Sequence, residues 1–199
     1  MPGRSRYGAT AGSTQSAHIR TSTHGARPST IMAPHARCAG PPLVINNDIL
    51  RRIRYMLDLG DVHLVELARL ADARVVIDRE QMRAWLLRED DADFEECPDR
   101  VLAHVLDGLV VHLRGRDKNV PARPVDARVN NNVVLKKLRV AFQLRDVDLN
   151  RIFADAGHAI SKPELTAFFR QPGHANYRAC GDQVLRNFLK GLTLRVRGP

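Results

Sequence analysis

Large apolar residues recur along this chain at i, i+3, i+4 and i+7, the spacing that gathers them on one face of an α-helix. They do so in two matching sets of four segments. The first set runs Leu50, Ile53, Leu57; then Leu64, Leu67, Ala68, Ala71; then Met82, Trp85, Leu86; then Val101, Leu102, Val105, Leu106, Leu109. The second runs Leu135, Leu138, Phe142; then Leu149, Ile152, Phe153, Ala156; then Leu165, Phe168, Phe169; then Val184, Leu185, Phe188, Leu189, Leu192. No stretch alternates with period two long enough to predict a strand. The pattern therefore predicts an all-α chain of two pseudo-symmetric four-helix repeats.

Polar residues at the segment ends agree with this reading. Asn47 and Asn132 stand where N-caps of the first helices belong, and Asp61 and Asp146 where those of the second belong. Asp78-x-x-Gln81 and Ser161-x-x-Glu164 have capping-box spacing, and Gly115 and Gly198 are placed to close the fourth helices.

The two sets are copies of one another. LRRIRYMLDLGDVHL (50–64) aligns without gaps on LKKLRVAFQLRDVDL (135–149). After a two-residue insertion near Arg74 to Val76, CPDRVLAHVLDGLVVHLRG (97–115) aligns on CGDQVLRNFLKGLTLRVRG (180–198). Gly108 and Gly191 fall inside the fourth helices, where glycine costs about 1 kcal/mol relative to alanine, so close helix packing is expected there. A unit of roughly 70 residues has a thin core. The copies are accordingly expected to pack as one compact domain about a pseudo-two-fold axis, with third-helix aromatics and fourth-helix leucines at the interface.

The stretches NNDILRRIRYMLDLGD, ECPDRVLAHVLDGLVVHLRG, NNNVVLKKLRVAFQLRD and SKPELTAFFRQPGHANYRACGDQVLRNFLKGLTLRVRG resemble the YehS-like family of bacterial proteins, a tandemly repeated domain of unknown function. The resemblance covers about residues 44 to 198. It implies a small soluble bacterial protein with two copies of the domain, and it brings no activity and no site residues. The chain departs from the family pattern in its N-terminal extension and in the longer loop at Arg74-Val75-Val76.

Residues 1–43 are rich in Gly, Ser, Thr, Ala, Pro and Arg and almost without large apolar residues, so burial cannot offset their ordering entropy and a disordered tail is expected. A basic arm and an organellar transit peptide are alternatives, but the abrupt onset of patterned sequence at Leu43 to Asn46 favours an upstream start-site extension, with Val44 a misread initiator. The parts are then a tail (1–43), repeat 1 (44–115), a linker carrying Pro121 and Pro124 (116–130) and repeat 2 (131–199).

Charge divides unevenly among these parts. The net charge of +9 includes five arginines and no acid in residues 1–45, ten basic against fifteen acidic residues in 46–115, and twelve against five in 131–199. Repeat 1 is acidic and repeat 2 basic, so any electrostatic attraction is localised rather than general. No apolar run reaches the roughly 18 residues of a membrane span. Three cysteines at wide spacing give neither a disulfide framework nor a metal knuckle, and a cytoplasmic location is expected.

Candidate chemistry is sparse. Cys97 and Cys180 precede the fourth helices, where a thiol can be activated, but neither has a histidine beside it in both copies and a buried structural role is expected. His104, His112, His158 and His174 lack zinc-ligand spacing, so no metal and no cofactor is expected. Arg54 and Arg139 are expected to pair with Asp99 and Asp182 as structural bridges.

Repeat 2 has a basic feature that repeat 1 lacks. Arg186, Lys190 and Arg197 are expected to form a stripe opposite the buried face of the fourth helix, where repeat 1 carries Ala103, Asp107 and Arg114. Lys136, Lys137, Arg170, Arg178 and Arg195 extend this candidate patch, and His174 and Tyr177 in the loop after the third helix add donors and a stacking ring. With no nucleophile–base pair, phosphate loop or paired acids, an enzyme is not expected. The expected function is a non-enzymatic interaction module whose partner is a protein or a second copy of the chain. The alternative is an RNA- or DNA-binding protein using the basic patch of repeat 2; no membrane partner is expected.

Overall fold

The computed structural model describes residues 46–116 and 124–198. The expectations for the tail and for linker residues 117–123 lie outside them. The described residues form eight helices and no strand: α1 (Asn46–Leu57), α2 (Asp61–Ala71), α3 (Arg79–Leu86), α4 (Asp99–Arg114), α5 (Asn131–Ala141), α6 (Asp146–Asp155), α7 (Lys162–Phe168) and α8 (Asp182–Arg197). Four belong to each repeat, and their buried apolar residues make one continuous core. None is long and apolar enough to cross a membrane.

The fourth helix lies against the second in each repeat, and glycine is what permits it. A Cβ on Gly108 would stand 1.6 Å from the Leu67 carbonyl oxygen, and one on Gly191 would stand 2.0 Å from that of Ile152. No side chain fits at either point, so the helix backbones touch. Gly115 and Gly198, at φ of 78° and 83°, end α4 and α8 in the left-handed region that favours glycine.

The repeats join through their first and fourth helices: α4 packs on α5 and α8 packs on α1. Exchanging α1 with α5 and α4 with α8 maps one seam onto the other, which is the expected pseudo-two-fold arrangement. The expected role of the third helices at this interface is corrected. α3 packs on α1 and α2, and α7 on α6, so Trp85 and Phe168 complete the cores of their own repeats.

Asn47 and Asn132 also differ from expectation. α1 and α5 begin two residues earlier than such caps imply, and Asn130 caps α5 by accepting from the Val133 N–H at 3.0 Å. Asn47, 1% exposed, instead donates to the carbonyls of Trp85 (2.9 Å) and Glu95 (2.7 Å) and accepts from the Cys97 N–H (2.9 Å). Asn132 makes the same three bonds, to Phe168 O, Arg178 O and Cys180 N–H. One step before each, Asn46 and Asn131 donate to Asp99 (2.8 Å) and Asp182 (2.7 Å). These paired asparagines tie the first helix of each repeat to the segment that leads into its fourth.

The other caps follow from the same geometry. The Asp78–Gln81 box forms in both directions, at 2.7 and 3.3 Å, whereas Ser161 accepts from the Glu164 N–H at 3.4 Å and the Glu164 carboxylate turns to Arg178 at 2.8 Å. Asp61 and Asp146 are first helical residues rather than N-caps, since Gly60 and Arg145 occupy the cap positions.

Candidate functional site

The expected pairing of Arg54 and Arg139 with Asp99 and Asp182 is overturned. Arg54 lies 3.2 Å from Asp61, an ion pair without hydrogen-bond alignment, and Arg139 donates to Asp146 at 2.8 Å with its guanidinium 4.5 Å above the Phe169 ring. The reason is sequence distance: seven residues bring the helix-1 arginine back onto the start of helix 2, while the asparagines at 46 and 131 already hold Asp99 and Asp182.

The basic residues of repeat 2 do not form one patch. Arg195 bonds Asp148 at 2.8 Å, and Arg178 bonds Glu164. Arg197 crosses to repeat 1, donating to the Tyr55 carbonyl while its guanidinium lies 4.4 Å over the Tyr55 ring. Arg170 and His174 bond one another at 2.9 Å, and Arg170, Tyr177 and Arg178 line a shallow depression with α7. Lys136 is exposed on α5.

Arg186 and Lys190 behave differently. They are not opposite the packed face of α8; together with Gln183, Asn187 and Leu189 they face α1 across a groove of about 670 Å³, whose other wall is Asp48, Arg51, Arg52 and Tyr55. Asp48 pairs with Arg51 at 2.5 Å. Among the described residues, Arg52, Arg186 and Lys190 have no carboxylate within ion-pair distance. Sequence reasoning named Arg186 and Lys190 and missed Gln183, Asn187, Asp48, Arg51, Arg52 and Tyr55, because nothing in a one-dimensional comparison says which helix of repeat 1 faces α8.

The other seam shows what is unusual here. By the repeat alignment, Arg52 corresponds to Lys137, Lys190 to Asp107, Arg186 to Ala103, Gln183 to Arg100 and Asn187 to His104. On the α4–α5 seam, Lys137 bonds Asp107 directly and also reaches Asp126 of the connector at 3.1 Å. Desolvation pulls the half-buried Lys137 ammonium down in pKa, but its hydrogen bonds and charge interactions with Asp107 and Asp126 outweigh this, so its pKa is raised. Connector residues Pro124 to Ala127 line the space beside Arg100 and His104, and the Val129 N–H donates to Asp99 at 3.1 Å. One seam is thus charge-balanced by the chain's own connector. Its counterpart sets like charges on both walls.

Cys97 and Cys180 are each 5% exposed, and burial pushes both thiols up to about 12, which fits the structural role expected of them.

Two regions of the chain, 46–115 and 131–198, match the profile of a protein family described as "Protein of unknown function (DUF1456)". The chain belongs to this family. It is also similar to the uncharacterized protein YehS of Escherichia coli K12, at 45% identity over 152 residues that cover 76% of this chain and 96% of that protein. No solved structure matches it. The family's repeated domain coincides with the two four-helix units, so the groove between α1 and α8 is formed only where both copies are present.

Proposed function

We propose that this protein is a non-enzymatic interaction module that captures an anionic partner in the α1–α8 groove. One observation carries the reading: Arg52, Arg186 and Lys190 face a single groove whose one described acid, Asp48, is paired with Arg51, so none of the three has a described carboxylate within ion-pair distance, while Lys137 on the related seam has two. Like charges held together repel one another, and an anion bound between them relieves that repulsion and is attracted from solution.

The alternative of RNA or DNA binding through a repeat 2 patch draws less support. Phosphate binding gains from a row of cations free to release counterions. Lys137, Arg178, Arg195 and Arg197 are engaged with carboxylates or with repeat 1, and Tyr177 lies with α7 rather than in the groove. A protein partner therefore fits better, and the exposed run Glu89 to Glu96 of repeat 1 makes a second copy of the chain one source of acidic surface.

The test is retention on immobilised polyglutamate and on single-stranded DNA at low salt. The wild type should be retained on polyglutamate and the double variant Arg186→Glu, Lys190→Glu should elute early. Equal retention of the two proteins on both matrices refutes the reading. Sedimentation at low and high salt shows whether a second copy serves as the partner.

A further inference from the structure

We infer that the anion taken by the α1–α8 groove is the carboxylate of a non-helical acidic segment of a partner protein, held as Asp126 is held on the opposite seam. The inference rests on the binding role proposed above and adds the chemical class of the ligand.

The pseudo-two-fold relation supplies the template. On the filled seam, a non-helical segment brings one carboxylate, Asp126, to within 3.1 Å of Lys137 while its neighbours Pro124 to Ala127 lie beside Arg100 and His104 of α4. On the open seam, Arg52 stands where Lys137 stands, and Gln183 and Asn187 stand where Arg100 and His104 do. The groove therefore repeats the cation that receives Asp126, and its α8 wall carries two carboxamides: Gln183 donates to the Asn187 oxygen at 3.0 Å, which leaves the Gln183 oxygen to accept from a passing peptide backbone and the Asn187 amide to donate to it.

Two replacements add positive charge to this site, while Gln183 in place of Arg100 removes one positive charge and Asp48 in place of Val133 adds a negative one that Arg51 takes up. Lys190 replaces Asp107, which removes the internal partner of the α1 cation and adds a second positive charge, and Arg186 replaces Ala103, which adds a third. A ligand with a single carboxylate satisfies the filled seam, because Asp107 supplies the rest; the open seam calls for a segment with several acids. The residues preceding α1 do not meet that demand, since residues 1–45 contain five arginines and no acid. The neutralising charge comes from another molecule.

Carboxylate rather than phosphate is favoured by the walls. The Arg197 guanidinium lies 4.4 Å over one face of Tyr55, the aromatic residue of the groove, which is 57% exposed, so a stacked base has only the other face available.

The experiment uses the full chain and fluorescence anisotropy. The probes are a labelled synthetic peptide with the sequence of Arg88 to Glu96, the same peptide with its acids replaced by their amides, and a single-stranded oligothymidylate. The acidic peptide should bind more tightly than the oligonucleotide, and the amide peptide should not bind. Lys190→Asp, which gives Arg52 an internal partner as Asp107 does for Lys137, should weaken acidic-peptide binding by about tenfold or more, as should Arg186→Gln; neither variant should melt below the wild type. Tighter binding of the oligonucleotide, with loss in the same variants, overturns the carboxylate assignment and leaves the groove as an anion site. Binding of neither probe, or binding of both that ignores the two substitutions, overturns the groove itself.

Discussion

Lys137 of α5 bonds Asp107 of α4 across one seam between the repeats, and the positions related to them by the internal two-fold, Arg52 and Lys190, put two positive charges across the other. An exchange of charge sign at the α4/α8 position thus distinguishes a seam whose α5 cation is paired within the chain from one whose α1 cation has no described carboxylate within ion-pair distance. The side chains of Lys137 and Asp107 are each 23% exposed, so screening of their pair is incomplete and the connector, through Asp126, shares in it.

Asp107→Lys should therefore free the connector as well as break an ion pair. The expected outcome is faster hydrogen exchange at Val125 to Val129 and a loss of stability of about 1–3 kcal/mol, read by urea unfolding. Unchanged exchange at Val129 would show that its bond to Asp99 holds the connector without help from Lys137.

Asn47 satisfies three backbone groups with one side chain, and its bonds to Trp85 and Cys97 are buried. Asn47→Ala leaves the Trp85 and Glu95 carbonyls and the Cys97 N–H without that partner, and the expected cost is about 2–4 kcal/mol. Asn132→Ala should cost less, because its bond to Arg178 lies at the surface and water can replace it. Paired urea denaturation curves measure both.

At Gly108 the usual helix-propensity gain of about 1 kcal/mol for alanine should be overwhelmed. The new methyl would fall 1.6 Å from a backbone oxygen of α2, and relief requires the two helices to separate. Gly108→Ala and Gly191→Ala should each lower the melting temperature. A rise in either would mean that α2 and α4, or α6 and α8, can slide apart cheaply.

The cysteines give a pH prediction with a definite sign. Their thiol pKa rises from 9 in the exposed state to about 12 in the fold, so the unfolded chain gives up its protons first as pH rises. Their contribution to stability is intact below pH 9 and falls progressively toward pH 12. Unfolding midpoints followed from pH 8 to 11 should decline, and replacement of both residues by alanine should flatten that decline. At neutral pH, mass spectrometry after iodoacetamide treatment should find Cys97 and Cys180 unmodified in the folded protein.

The eight helices, their grouping into two copies, the buried faces, the close-packing glycines and the opposite charges of the repeats were all legible in the amino-acid sequence. All of these are local or periodic: a 3.6-residue repeat of apolar side chains, a cap within one turn, or a residue type compared with its counterpart in the other copy. Even the difference between Asp107 and Lys190 was legible in this way.

Which side chains meet across helices depends on packing between segments far apart in the chain. Asn47 and Asn132 sit at helix starts and look like caps, yet they bridge residues about 40 to 50 positions away, because the third helix and the segment after it fold back over the first. Arg178, Arg195 and Arg197 look like members of one basic surface, yet each is engaged by a partner that depends on the packing of helices. The groove joins α1 of one copy to α8 of the other, across most of the described chain. Helix periodicity fixes which side of each helix is buried, but side-chain complementarity over that sequence distance fixes which buried sides meet, and the charged residues at the rims of the seams acquire partners or remain without them as a result.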